Sequence, residues 1–130
     1  MYSFAHERTV ALVASQSRKH RGYATQRIGA KYLQANGFPH ALSTGAGRSG
    51  TDITGIAGLD IEVKARTGFD PLGAIRQLKE RAKEGVLGVV LLRLNGQGEE
   101  SVGDWMVCLR FEDAVKLLRG NGYGEKSTGL

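Results

Sequence analysis

Two apolar-patterned segments, residues 59–66 and 86–94, and the stretch between them constrain the fold of this chain most. In LDIEVKAR, Leu59, Ile61, Val63 and Ala65 alternate with Asp60, Glu62, Lys64 and Arg66, the period of a strand with one apolar face. Asp70 and Pro71 follow as an N-cap and a first helical residue, and Leu72, Ile75, Leu78 and Ala82 supply a helical stripe to about residue 84. Gly85 stops that helix. Residues 86–94, VLGVVLLRL, are a nearly continuous apolar run, as expected of a strand buried on both faces. Strand, helix and buried strand in succession predict a right-handed crossover that sets the third and fourth strands parallel.

The remaining elements fall around this unit. Ala24, Ile28, Tyr32 and Ala35 share one face of a helix over 23–36, with Gly37 at its stop. Residues 38–44 read as a short strand with Pro39 near its start, and Gly45, Gly47 and Gly50 make 44–51 a Gly-rich loop. Strands over 52–56 and 59–66 meet at a tight turn, Trp105, Val107 and Leu109 mark a fifth strand over 105–111, and 113–118 form a last short helix. The expected class is α/β, a central mixed five-stranded sheet flanked by helices in the order α-β-β-β-α-β-β-α. At 130 residues the chain is one domain, with 1–16 as an arm or short helix and 120–130 as a flexible tail.

Eighteen Lys and Arg against 13 Asp and Glu give a net charge of +5, which favours a polyanionic partner, nucleic acid first. Cys108 is the only cysteine, so an intramolecular disulfide and a thiolate zinc cluster are excluded, and a reducing, cytoplasmic compartment is the default. No apolar run approaches the ~18 residues that span a bilayer, and the first residues lack a signal-peptide layout, so no membrane association is expected.

Chemistry depends on the turn between the second and third strands. A three-residue loop, Ile56, Ala57 and Gly58, with Gly58 left-handed, sets Asp52 opposite Glu62; a two-residue turn sets it opposite Val63 and turns it away. With the odd loop, Asp52, Glu62 and Lys64 cluster on one face. Two carboxylates on a rigid sheet suit Mg²⁺ or Mn²⁺, an ion able to polarise a phosphate oxygen and acidify an attacking water. Lys64 would orient that water or offset charge on the phosphate. Taken by themselves, the same three residues also fit an ordinary half-solvated strand face.

The order helix, Gly-rich loop, Asp52, hairpin, Glu62-Val63-Lys64, helix resembles the PD-(D/E)xK nuclease superfamily, whose fold is restriction-endonuclease-like. With Arg21-Gly22 before the first helix, Gln26-Arg27 inside it and Ser49-Gly50-Thr51-Asp52 leading into the second strand, residues 20–94 look most like the archaeal-type Holliday junction resolvases. The resemblance implies a metal-dependent, structure-selective DNA endonuclease acting as a homodimer in recombination and repair. Asp52 and Glu62 would be its ligands for Mg²⁺ (or Mn²⁺) and Lys64 its catalytic lysine. Thr51 stands where the superfamily has its naming Pro. Gln26 stands where such resolvases carry a Glu that supports the metal site; it keeps a hydrogen-bonding carbonyl but adds no negative charge. Gln77, in the second helix, corresponds to a polar residue at the site edge in related nucleases, and it also fits an exposed helix position.

Lys19, Arg21, Arg48 and Ser49, joined by Arg66, are the candidates for contacts to branched DNA, where cations position the backbone without reading sequence. His6, His20 and His40 have no ligand-like spacing and read as surface or structural residues. Trp105 reads as core. Two alternatives stay open: a nuclease of the same fold cutting duplex, flap or single-stranded DNA, and a catalytically silent DNA-binding module, for which Gln26 is the main argument. A chain this short suits an intracellular enzyme that is nucleoid-associated or phage-encoded.

Overall fold

The computed structural model describes residues 21–45, 51–66 and 70–124. The proposed arm over 1–16, Lys19, Arg48, Ser49, His6, His20 and the last six residues lie outside them.

Helix α1 covers 21–35 and is followed by β1 (Leu42–Ser43), β2 (Ile53–Thr54), β3 (Leu59–Arg66), α2 (Pro71–Glu80), β4 (Leu87–Leu94), a 3-10 turn (Glu99–Asp104), β5 (Met106–Cys108) and α3 (Phe111–Gly120). The five strands form one sheet in sequence order. β3 and β4 run parallel in unbroken register from Leu59↔Leu87 to Arg66↔Leu94, while the other neighbours are antiparallel. The fold is thus α/β with a mixed, open five-stranded sheet, as the crossover argument requires. No described helix is long and apolar enough to cross a membrane.

The two sheet faces are covered differently. On one, Ile61, Val89 and Ile53 pack with Ala30 and Ala41, joined by Leu33, Leu59, Val63 and Leu91. On the other, Ala74 and Leu78 of α2 cover Val90 and reach Cys108. Since Glu62 pairs with Val90 and Lys64 with Leu92, the polar residues of β3 share this second face with buried aliphatic side chains.

Several boundaries and faces differ from expectation. The first strand shortens to two residues because Phe38 N–H returns to the Leu33 carbonyl and Ala41 N–H to that of Phe38, so 38–41 is a turn and His40 sits exposed in it. The buried side of α1 is Thr25, Gln26, Gly29 and Ala30, about one position away from the expected stripe. Its small residues let the helix come close to the sheet, and a methyl placed on Gly29 would lie 2.9 Å from a Leu91 carbon. Tyr32 is displaced to the rim at 43% exposure.

Helix α2 stops at Glu80 with Arg81 as its C-cap, four residues earlier than expected, and buries Ala74 and Leu78, leaving Leu72 and Ile75 exposed. The fifth strand contracts to three residues; Trp105 is core as expected, but Val107 is exposed. Helix α3 extends beyond the expected bounds at both ends. Residues 121–123 cap it through Asn121 N–H to Leu117 and Tyr123 N–H to Leu118, so that part of the expected tail is an ordered turn.

Candidate active site

The hairpin between β2 and β3 fixes the site. Leu59 N–H donates to the Ile56 carbonyl at 3.2 Å, and Gly58 adopts φ +79°, the left-handed conformation expected at the end of a three-residue loop. Ile53 pairs with Ile61, the register of the odd loop, and beyond that pair Asp52 N–H also turns to the Ile61 carbonyl at 2.8 Å. A second left-handed glycine, Gly55 at φ +87°, lets β2 pass His40; a Cβ there would fall 1.9 Å from the His40 carbonyl oxygen.

Thr51 and Asp52 replace the next steps of main-chain pairing with side chains. Ile61 N–H donates to Thr51 Oγ1 at 2.8 Å, and that hydroxyl can donate to the Ile53 carbonyl at 2.9 Å. Val63 N–H donates to Asp52 Oδ2 at 2.7 Å. The Thr51 hydroxyl thereby pins the strand that carries Asp52.

Asp52, Glu62 and Lys64 do come together. Lys64 Nζ lies 3.2 Å from Glu62 Oε1, and both side chains are only 15% exposed. Burial raises the pKa of Asp52; the Val63 N–H works against this, the charge of Glu62 adds to it, and Arg81 and Lys64 oppose it.

Arg81 is the resident that the sequence did not announce. Its Nη1 donates to Glu62 Oε2, its Nη2 to Asp60 Oδ1, and its Nε to Asp60 Oδ2 at 3.1 Å. Burial disfavours the guanidinium charge, but the hydrogen bonds and charges of Glu62 and Asp60 outweigh it, and its pKa is raised. The signal available beforehand was position: Arg81 is four residues after Gln77 and Ala74 is three before it, the spacing of one helix face, and that face meets Asp60 and Glu62.

An open pocket of about 380 Å³ adjoins the cluster, lined by Lys64, Asp70, Gly73, Ala74, Arg76, Gln77 and Glu80. Gln77 is thus beside Lys64 at the site edge. Arg76, exposed on the same wall, is a cation that sequence reasoning missed. Arg21 is not a free surface charge: its Nη2 donates to the Leu94 carbonyl at 3.2 Å, tying α1 to the end of β4. Arg66 ends β3, and its side chain lies outside the described set.

Gln26 is buried, and its Oε1 has no hydrogen-bond partner among the described residues. It precedes Gly29 by three residues on the face of α1 that meets Leu91 and Ile53, Ile53 being the neighbour of Asp52. Gln26 belongs to the α1 side of the sheet, the face opposite α2, whereas Asp52 and Glu62 offer oxygen donors alone. That chemistry suits a hard divalent cation. Among the described residues no group of three or more His, Cys, Asp or Glu is arranged to hold a metal, so such an ion would rest on two carboxylates and neutral oxygens.

Comparison of the chain with family models, with curated proteins and with solved structures gives no match.

Proposed function

We propose that this protein is a metal-dependent, structure-selective DNA endonuclease of the PD-(D/E)xK type, with a restriction-endonuclease-like fold and a Holliday junction as its preferred substrate. The observation that carries the reading is the partial burial of Asp52, Glu62 and Lys64 together on the α2 side of the sheet. Charged groups are expensive to bury, and an amphipathic strand packed only for stability would place them in water. The net charge of +5 suits a polyanion.

In this reading Asp52 and Glu62 would be the ligands of Mg²⁺ or Mn²⁺. The ion, when bound, polarises a phosphate oxygen and lowers the pKa of the attacking water. Lys64, at the boundary between the carboxylate cluster and the open pocket, offsets charge developing on the phosphate. Arg76 and Gln77, on the pocket wall, bind the DNA backbone beside it.

A homodimer belongs to the same reading, because two symmetric strands of a junction need two sites. Exposed apolar side chains on β5 and α3, among them Val107, Phe111 and Leu118, supply a surface suited to a second copy. So does a reducing, cytoplasmic setting, in which Cys108 stays a free thiol.

Incubation with a four-way junction and Mg²⁺ is expected to give symmetric nicks that vanish in Asp52→Asn and Lys64→Ala; nicks persisting in both variants would overturn the reading. A plain duplex or flap cut as fast as the junction would keep the nuclease and replace its substrate. One observation favours a catalytically silent DNA-binding module instead: both oxygens of Glu62 are already ion-paired, to Lys64 and Arg81. Salt-dependent DNA binding with no heat of Mn²⁺ binding, alone or with DNA, would decide for the module.

A further inference from the structure

Arg81 divides its guanidinium between two carboxylates. Nε and Nη2 grip Asp60 through both of its oxygens, while a single nitrogen, Nη1, reaches Glu62. The main chain at this residue is fixed independently, since its N–H caps α2 on the Gln77 carbonyl. The grip on Asp60 fixes the plane of the guanidinium, so the single contact to Glu62 is the one that can break, by a turn of the Glu62 carboxylate, with the two-point grip on Asp60 retained.

We propose that Arg81 is a displaceable counter-ion that competes with a divalent cation for Glu62 Oε2, and that Asp60 is the dock that keeps the guanidinium in place when it yields. This rests on the reading of Asp52 and Glu62 as ion ligands. The charges argue for exchange over coexistence. Asp52, Asp60 and Glu62 against Lys64 and Arg81 leave one uncompensated negative charge. A divalent ion reverses the balance to one positive charge and repels the guanidinium from the oxygen they share. Lys64, holding Glu62 Oε1 at 3.2 Å, tethers that carboxylate as it turns. Asp60 thus acquires a purpose that its place on the strand did not suggest.

A merely structural Arg81 predicts the opposite sign. If it served only to hold Glu62 in position, its removal would loosen the carboxylate and weaken ion binding. Calorimetric titration of the full chain with Mn²⁺ separates the two. Arg81→Gln is expected to bind Mn²⁺ at least about tenfold tighter than the unaltered protein, the scale of one charge-assisted hydrogen bond. Arg81→Lys, which keeps the charge without the fork, is expected to fall between them, and Asp52→Asn to lose binding. Equal or weaker binding in Arg81→Gln, with Asp52→Asn still inactive in binding, overturns the competition and leaves the ion reading standing. Mn²⁺ binding to neither the unaltered protein nor Arg81→Gln overturns both.

Should Arg81→Gln fail to fold, the unaltered chain labelled with ¹⁵N-arginine provides the same decision. Saturating Mg²⁺ is expected to move the Arg81 Nη1 resonance while leaving its Nε resonance in the Asp60-bound position. Resonances that both stay unmoved overturn the proposal.

Discussion

Oδ2 of Asp52 accepts the main-chain N–H of Val63 at 2.7 Å, so the carboxylate is anchored to the strand between Glu62 and Lys64. The bond takes the place of a ladder hydrogen bond where β2 leaves β3. It fixes the carboxylate without neutralising it, and among the described residues no cation forms an ion pair with Asp52. Lys64 and Arg81 are engaged with Glu62 instead. The sheet thereby holds Asp52 as its least compensated acid.

That arrangement predicts a stability cost at neutral pH. Burial raises the folded-state pKa of Asp52 above its ordinary 3.8, so the folded protein holds the proton more tightly than the unfolded chain does. Its contribution favours folding below the ordinary value and is lost as pH rises through the folded value. Asp52→Asn, which keeps an acceptor for Val63 N–H, is expected to melt at a higher temperature than the unaltered protein at pH 7. The advantage is expected to shrink towards zero as pH falls below 3.8. Thermal melts by circular dichroism across that window check it, and a lower melting temperature at pH 7 would contradict it.

Thr51→Val tests the hydroxyl that stands in for main-chain pairing. Removing Oγ1 leaves the Ile61 N–H, which it accepts at 2.8 Å, without its partner. A buried donor so orphaned costs about 1–3 kcal/mol. Urea unfolding is expected to show a loss in that range, and cleavage to fall further than stability alone explains, because Asp52 is the next residue along.

The sequence already contained the crossover and the hairpin register, for a common physical reason. Residues 86–94 are too apolar to lie anywhere but inside a sheet, and Ile56, Ala57 and Gly58 form an odd loop whose parity sets Ile53 against Ile61. The face of α1 was not legible, since hydrophobic periodicity weights Ile28 and Tyr32 above Gly29 and Ala30, and it is the small residues that permit close packing on Leu91. Arg81 was hidden by a boundary. With α2 extended to residue 84 it reads as one more helix charge, whereas a helix that ends at Glu80 makes it the cap and turns its side chain to Asp60 and Glu62.

Two glycines near the turn are expected to respond unequally to alanine. Gly58 needs only the left-handed conformation, and an added Cβ would meet the Gly85 carbonyl at 3.3 Å. Gly58→Ala is expected to lose about 1–2 kcal/mol, mainly backbone strain. At Gly55 the Cβ would fall 1.9 Å from the His40 oxygen, a collision with main chain that only separation of β1 from β2 can relieve. Gly55→Ala is expected to lose more than about 3 kcal/mol, strain and clash together, and to unfold at clearly lower urea than Gly58→Ala.

Lys64, Arg76 and Gln77 line one pocket but are expected to differ in kinetic signature. Lys64 touches both the carboxylate cluster and the pocket, where the proposed function would have charge develop on a phosphate. An interaction that strengthens in the transition state lowers kcat when removed, and loss of one such stabilising donor typically costs about 10²–10³-fold. Lys64→Ala is expected to show that loss with little change in KM. Arg76 is exposed on α2, and under the proposed function it would bind the DNA backbone equally in ground and transition states. Arg76→Ala is therefore expected to raise KM, flatten the salt dependence of DNA binding by about one ion and leave kcat nearly unchanged. Gln77→Ala, with no charge to remove, is expected to raise KM without altering the salt slope. Steady-state cleavage of a junction at several salt concentrations distinguishes the three, and an equal loss of kcat in Arg76→Ala and Lys64→Ala would place the reacting phosphate nearer the helix than the strand.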